Sequence, residues 1–366
     1  MNKRSLIALT LSLYGCTDWG FEDNGFRHIV SEERTDAQSE ATIIVPVEDG
    51  DSAVLVTAAV DNGLVVLYEV QGPSGLTHLA AEEEWPAPQS RTGAVFPADV
   101  VSINWPIEDD DAELEPGKWQ FTFRTLDADL YYARGVTIQA DALVKRDANF
   151  ADGVVNVALV YTGGLEADDL MVAAVEEALT MWQDLYLAVG LELQVTTTTW
   201  DVQSLWPPGF GDGPTYTDIA ATLPLGTIPV VLVSQVDGFP TGMLYGMAGG
   251  IPGPLVDNGH AGVMVDLLSH AGSDVLYSDE ETRILAETMG HEVGHFLGLF
   301  HPNEIDLTGY DALGDTPECA DLESCEEVLG TNLMYPYPIC SGFTCTAQSQ
   351  LTDNQSSVMM RYTGVE

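Results

Sequence analysis

The chain has 366 residues, enough for two domains that each bury a sizeable core. Its apolar content of 45% excludes a disordered chain. With 57 acidic residues against 12 basic ones the formal charge is −45, which excludes nucleic acid and anionic lipid head groups as partners and suits a soluble monomer outside the cell.

Residues 1–16 read as a signal peptide: Lys3 and Arg4 make a positive start, and Leu6 to Tyr14 form an apolar run too short to span a bilayer. The run ends Leu13-Tyr14-Gly15-Cys16, which resembles a bacterial lipobox, where the cysteine becomes the lipidated first residue. Ordinary secretion with Cys16 incidental is the alternative. Either way export is expected, as an outer-membrane lipoprotein or a secreted protein, with membrane contact only through that anchor. Residues 17–40, rich in Asp, Glu, Ser and Gly, read as a flexible linker.

Residues 41–145 predict an all-β sandwich. Ala41 to Val47, Ala53 to Val60 and Leu64 to Val70 are β-branched runs between turn signals, and Trp119 to Arg124 alternates apolar and polar. The domain reads as an accessory unit, a spacer rather than a binder. Its acidic run, Glu108 to Asp111, reads as a solvated loop that is also able to hold a cation.

The second domain, 146–366, opens with a buried strand from Val154 to Tyr161 and a helix over Glu166 to Ala188. Strands follow at Leu191 to Trp200 and Ile228 to Ser234, separated by a Pro-, Gly- and Asp-rich loop over 201–227. Met243 to Ile251 and Ala261 to Leu267 supply the last strands. His260 and His270 flank the second of these and read as solvated, with no role.

A capping box, Ser278 with Glu281, then starts a helix whose apolar residues recur from Ile284 to Leu297. It carries His291-Glu292-Val293-Gly294-His295, followed by Gly298 and His301. Positions four apart share a helix face, so the imidazoles of His291 and His295 point the same way. Gly298 tolerates the positive φ that ends the helix in a sharp bend, and His301 returns as third ligand. Three imidazoles leave a tetrahedral zinc one open position, the pattern of a catalytic site, with Glu292 close enough to reach a water there. Gly290 and Gly294 each disfavour helix by about 1 kcal/mol relative to alanine, and their expected return is close approach of a neighbouring element.

The pattern His291-Glu292-x-x-His295-x-x-Gly298-x-x-His301 resembles the zinc signature of the metzincin metalloproteases. Asn332-Leu333-Met334-Tyr335 resembles that family's methionine turn, and Gly314-Asp315-Thr316-Pro317-Glu318-Cys319 resembles a stretch of its pappalysin-like branch. The resemblance implies an α+β fold: a twisted, mostly parallel sheet, an active-site helix and an irregular C-terminal subdomain. Substrate would pair with an antiparallel edge strand, for which Leu244 to Gly250 is the candidate. It also implies a zinc-dependent endopeptidase acting on protein or peptide substrates, with Glu292 as general base and Met334 under the metal. In many relatives a tyrosine two residues past that methionine approaches the zinc. Pro336 holds that place here, so either Tyr335 or Tyr337 is the candidate oxyanion stabiliser. Similar loops in the branch can hold calcium, for which Asp306, Asp311, Asp315 and Glu318 are the candidate ligands; a solvated acidic loop is the equal alternative.

Cys319, Cys325, Cys340 and Cys345 predict two disulfides clamping the loops below the site, with three connectivities open. A second zinc site is the rival, but the spacing lacks a Cys-x-x-Cys pair. The rival function from another class is a catalytically silent surface binding protein on a metalloprotease fold.

Overall fold

The computed structural model describes residues 25–81, 89–146, 148–203, 205–207, 215–271, 277–342 and 344–366. Cys16 and the rest of residues 1–24 lie outside the described residues.

The N-terminal unit holds β1 (Phe26–Arg34), β2 (Glu40–Val47), β3 (Asp51–Ala59), β4 (Leu64–Gln71), β5 (Thr77–Ala80), β6 (Gln89–Ser90), β7 (Val100–Trp105), β8 (Gly117–Leu126) and β9 (Thr137–Arg146). All but β6 form two antiparallel four-stranded sheets, ordered β1-β9-β3-β7 and β2-β8-β4-β5. Alternation explains the interior: Trp119, Phe121 and Phe123 of β8 point inward and meet Val54, Val56, Ile103 and Trp105 of the other sheet in one buried cluster.

Two expectations are corrected here. Residues 26–34, read as linker, are strand β1, paired along its whole length with β9 from Phe26↔Lys145 to Arg34↔Thr137. The outer end of β1 is solvated and charged (Glu32, Glu33, Arg34), so its composition imitates a tether, while Phe26 and Arg27 are buried and Arg27 pairs with the buried Asp51. The acidic run is not a free solvated loop either. Arg91 bridges Glu108 at 2.9 Å and Asp111 at 2.6 Å, and Asp111 also accepts from the backbone N–H groups of Ile107 and Glu108.

The second unit is built on a five-stranded sheet ordered β11-β10-β12-β14-β13: β10 (Gly153–Thr162), β11 (Leu191–Trp200), β12 (Ile228–Val233), β13 (Gly246–Ala248) and β14 (Val263–Asp266). Strands β10, β11, β12 and β14 run parallel, and β13 lies antiparallel on the β14 edge with Met247 opposite Met264. Every residue of β12 is buried, as its unbroken apolar run requires at a sheet centre. Helix α1 (Asp169–Leu187) buries Val175, Ala178, Trp182 and Tyr186 against this sheet and against α2 (Asp279–Phe296). Helices α3 (Leu322–Leu329) and α4 (Asp353–Arg361) complete the C-terminal part. Among the described residues of 201–227 there is a single helical turn, Thr217–Ala220. No helix among the described residues is long and apolar enough to cross a membrane.

The two units are joined by a buried, fully partnered amide. Asn104 of β7 donates to Arg361 O and Pro106 O, both at 2.9 Å, and accepts from Thr363 N at 2.8 Å and Thr363 Oγ1 at 2.7 Å. Farther along, β6 pairs in parallel with β15 (Tyr310–Asp311).

Candidate metal centre

Helix α2 starts at the expected capping box, with Ser278 Oγ accepting from Glu281 N and Glu281 accepting from Ser278 N. It ends where Gly298 takes φ +111°, with Leu299 N donating to Gly294 O at 3.0 Å. Both interior glycines make the expected close approach. A Cβ on Gly290 would meet Trp182 of α1 at 3.1 Å, and one on Gly294 would meet Met334 Sδ at 2.7 Å. Tyr186 of α1 fixes the approach by donating to Gly290 O at 2.7 Å.

The bend after Gly298 brings His291, His295 and His301 together as a group able to hold a metal ion. The outer nitrogen of each ring is spoken for. Nδ1 of His291 faces Leu333 O at 2.8 Å, Nδ1 of His295 faces Leu299 O at 2.6 Å, and Nδ1 of His301 faces Glu304 Oε1 at 3.1 Å. Carbonyls and carboxylates only accept, so each Nδ1 carries the proton and each Nε2 presents a bare lone pair. Those Nε2 atoms converge, 3.2 Å between His291 and His301 and 3.1 Å between His295 and His301. Two lone pairs cannot hydrogen-bond each other, so the arrangement fits a cation shared among them. Bonds of about 2.0–2.1 Å to a tetrahedral zinc would set the nitrogens about 3.3 Å apart. Burial pushes the His291 imidazole down to about 3, with His301 adding to it, and holds His295 well below the usual range. Neutral rings are the form that ligates.

Glu292 is buried beside the triad and accepts from the backbone N–H of Ala248 on β13. Burial raises its carboxyl to about 8, against the lowering effect of that N–H. A dication bound next to it would act in the opposite direction. Gly246 makes the room, since a Cβ there would stand 2.6 Å from Glu292 Cγ.

Met334 is buried under the helix in the main core, with its N–H donating to Asn332 Oδ1 at 2.8 Å. Asn332 is pinned in turn, its Nδ2 donating to Gln355 Oε1 of α4 at 2.8 Å. Tyr335 and Tyr337 both line the cleft, yet they are committed to each other, OH to OH at 3.2 Å, and Tyr337 donates to Glu326 at 3.1 Å. The cleft, about 470 Å³, runs past the triad between β13 and the segment from Leu333 to Pro338, with Ile284, Thr288 and Ile305 on its walls.

Several expectations are revised. The four calcium candidates do not converge. Asp306 accepts from Thr308, Asp311 from Thr316, Asp315 from Thr352 and Asn354 of α4's first turn, and Glu318 from Gln89. Among the described residues the histidine triad is the only group of three or more His, Cys, Asp or Glu side chains placed to share an ion, so the calcium expectation finds no support. The disulfides are Cys319–Cys325 and Cys340–Cys345. His260 and His270 are buried, not solvated. His270 bridges Asp266 O at 2.6 Å and Thr288 Oγ1 of α2 at 2.9 Å, and burial lowers it to about 4. Gly246 and Ala248 fall in the segment expected as the antiparallel edge strand, but nothing in the sequence signals their contacts with Glu292. Glu304 is a further unexpected residue, and its one signal is its position three residues beyond His301.

No protein-family model and no curated protein matches the sequence. Among solved structures, an archaemetzincin from Methanopyrus kandleri aligns over 58% of this chain and 96% of its own, at 13% identity and a TM-score of 0.32. Metalloproteinase-II from Bacteroides fragilis aligns over 44% of this chain, at 16% identity and a TM-score of 0.26. The chain spans about half the length of that second protein, 47%. At these scores the overlays carry no argument, and the chemistry rests on the side chains themselves.

Proposed function

We propose that the chain is an exported zinc-dependent endopeptidase of metzincin type, close to the pappalysin-like branch, hydrolysing internal bonds of extracellular proteins or peptides. The observation that carries this reading is the convergence of three Nε2 lone pairs, each fixed from behind by an acceptor on Nδ1, beside the buried Glu292. A zinc ion bound there supplies a Lewis acid and makes a water acidic enough to react near neutral pH.

The chain's own groups do the rest. His291, His295 and His301 would hold the ion, with their ring tautomers set by Leu333 O, Leu299 O and Glu304. Glu292 takes a proton from the attacking water and passes it to the amide nitrogen as the peptide bond breaks. The Ala248 N–H keeps that carboxylate aimed from the strand side. The exposed edge of β13 offers backbone groups to an extended substrate, as strand addition requires. Tyr335 and Tyr337 remain the candidates to help hold the developing oxyanion, by breaking their mutual hydrogen bond when substrate enters. The N-terminal unit is the accessory β-sandwich, and Cys16 the lipid anchor of an outer-membrane lipoprotein or the incidental residue of a secreted monomer.

Purified protein should bind one zinc and cleave a denatured protein in a reaction stopped by a chelator and restored by zinc. Stoichiometric zinc without any cleavage would instead favour the silent binding protein.

A further inference from the structure

The cleft strand β13 has only three residues, one hydrogen-bonded neighbour and an open edge. So short an edge strand is not held by its ladder alone; its placement must come from its ends. The leading end is tied within its own unit, with Asp266 N donating to Tyr245 O at 2.9 Å. The trailing end is held within its own unit by Gly249 N, which donates to Gly262 O at 2.9 Å, and is tied on its other side to the N-terminal unit. His260 Nδ1 faces Gly249 O at 2.8 Å, and the other nitrogen of that ring faces Asp99 Oδ1 at 2.9 Å. Two residues on, Ile251 O accepts from Gly93 N at 2.5 Å. Gly249 is pressed on this support, since a Cβ there would fall 1.8 Å from His260 O.

We propose that Asp99 is a positioning residue: acting through His260, it sets the register and rigidity of the substrate strand, which also carries the Ala248 N–H that aims Glu292. The N-terminal unit is then a working part of the cleft. Both ring partners are acceptors, so each bond is one that a ring N–H makes. An asparagine at 99 still closes the chain, its amide N–H donating to Nε2 while Nδ1–H keeps Gly249. An alanine leaves Nε2 without its partner and frees the ring to turn.

The peptidase consequence rests on the reading above, but the positioning itself does not need catalysis to be measured. Hydrogen–deuterium exchange of full-length protein, followed by mass spectrometry, reads the amides of Gly246 to Gly249 directly. Asp99→Ala should exchange there about tenfold faster than the parent, Asp99→Asn within about twofold, with α2 and zinc content unchanged in both. For a peptide long enough to pair with β13, KM should rise about tenfold in Asp99→Ala with a smaller fall in kcat through the Ala248 contact to Glu292, and both should recover in Asp99→Asn. Equal exchange in all three proteins overturns the proposal, as does faster exchange spread equally through α2. If the parent cleaves nothing, the exchange result still decides the positioning role, and only the peptidase reading fails.

Discussion

The two walls of the cleft are held by opposite means. The histidine wall is local: the three proposed ligands and the proposed base sit on one helix and the bend after it, and two of the three outer nitrogens find their acceptors at Leu299 and Glu304, a few residues away. The substrate wall is non-local: β13 depends on Asp266 before α2 and on Asp99 and Gly93 from the N-terminal unit. On the proposed reading, chemistry that demands ångström precision at one ion is carried by a rigid element with few degrees of freedom, and recognition of an extended chain is assembled from distant pieces, where adjustment is cheap.

That contrast is breakable by substitution. The largest effect belongs to Glu292→Gln, which should keep zinc while lowering kcat by about 10²–10⁴-fold; retained turnover would remove Glu292 as the base. Gly246→Ala comes next. It pushes β13 against Glu292 without touching a ligand, and a misplaced base of this kind loses about 100-fold in kcat/KM at full zinc occupancy. If zinc is lost instead, the two walls are one unit and the contrast fails. Glu304→Ala removes the acceptor behind His301 and should weaken zinc binding about 10–100-fold in a chelator competition, with Glu304→Gln intermediate.

The gentlest test is a slope with pH. His270 is buried neutral and ties the β14 side to Thr288 of α2, its folded pKa lying near 4 against the ordinary 6.5. Between those values the unfolded chain binds the proton more readily. Its contribution is therefore complete above pH 6.5 and drains away as pH falls towards 4, by at most about 1.4 kcal/mol per pH unit. Urea unfolding at pH 7, 5.5 and 4.5 reads the slope, which should flatten in His270→Asn.

What could be read from the residues follows the same divide. The β2, β3, β4, β8 and β10 strands, helix α1 and strands β11 and β12 declare themselves by period, because each buries one face or both against a continuous core. The triad declares itself because its spacing is a property of one helix and one glycine. By contrast β1 hides behind a charged outer end, and its membership depends on pairing with β9 more than a hundred residues away. His260 and His270 look idle in the chain because their partners, Asp99, Gly249 and Thr288, lie in other elements. No local pattern encodes that Gly246 must be small for Glu292. The calcium expectation erred in the other direction: acidic residues close in sequence were spent on separate turns and a helix cap.

The Asn332–Gln355 pin ties the segment beneath the ligands to a helix synthesised after them. On the proposed reading, a chain clipped short of Gln355 would keep all three imidazoles and the base but carry them on a floor that had never been set.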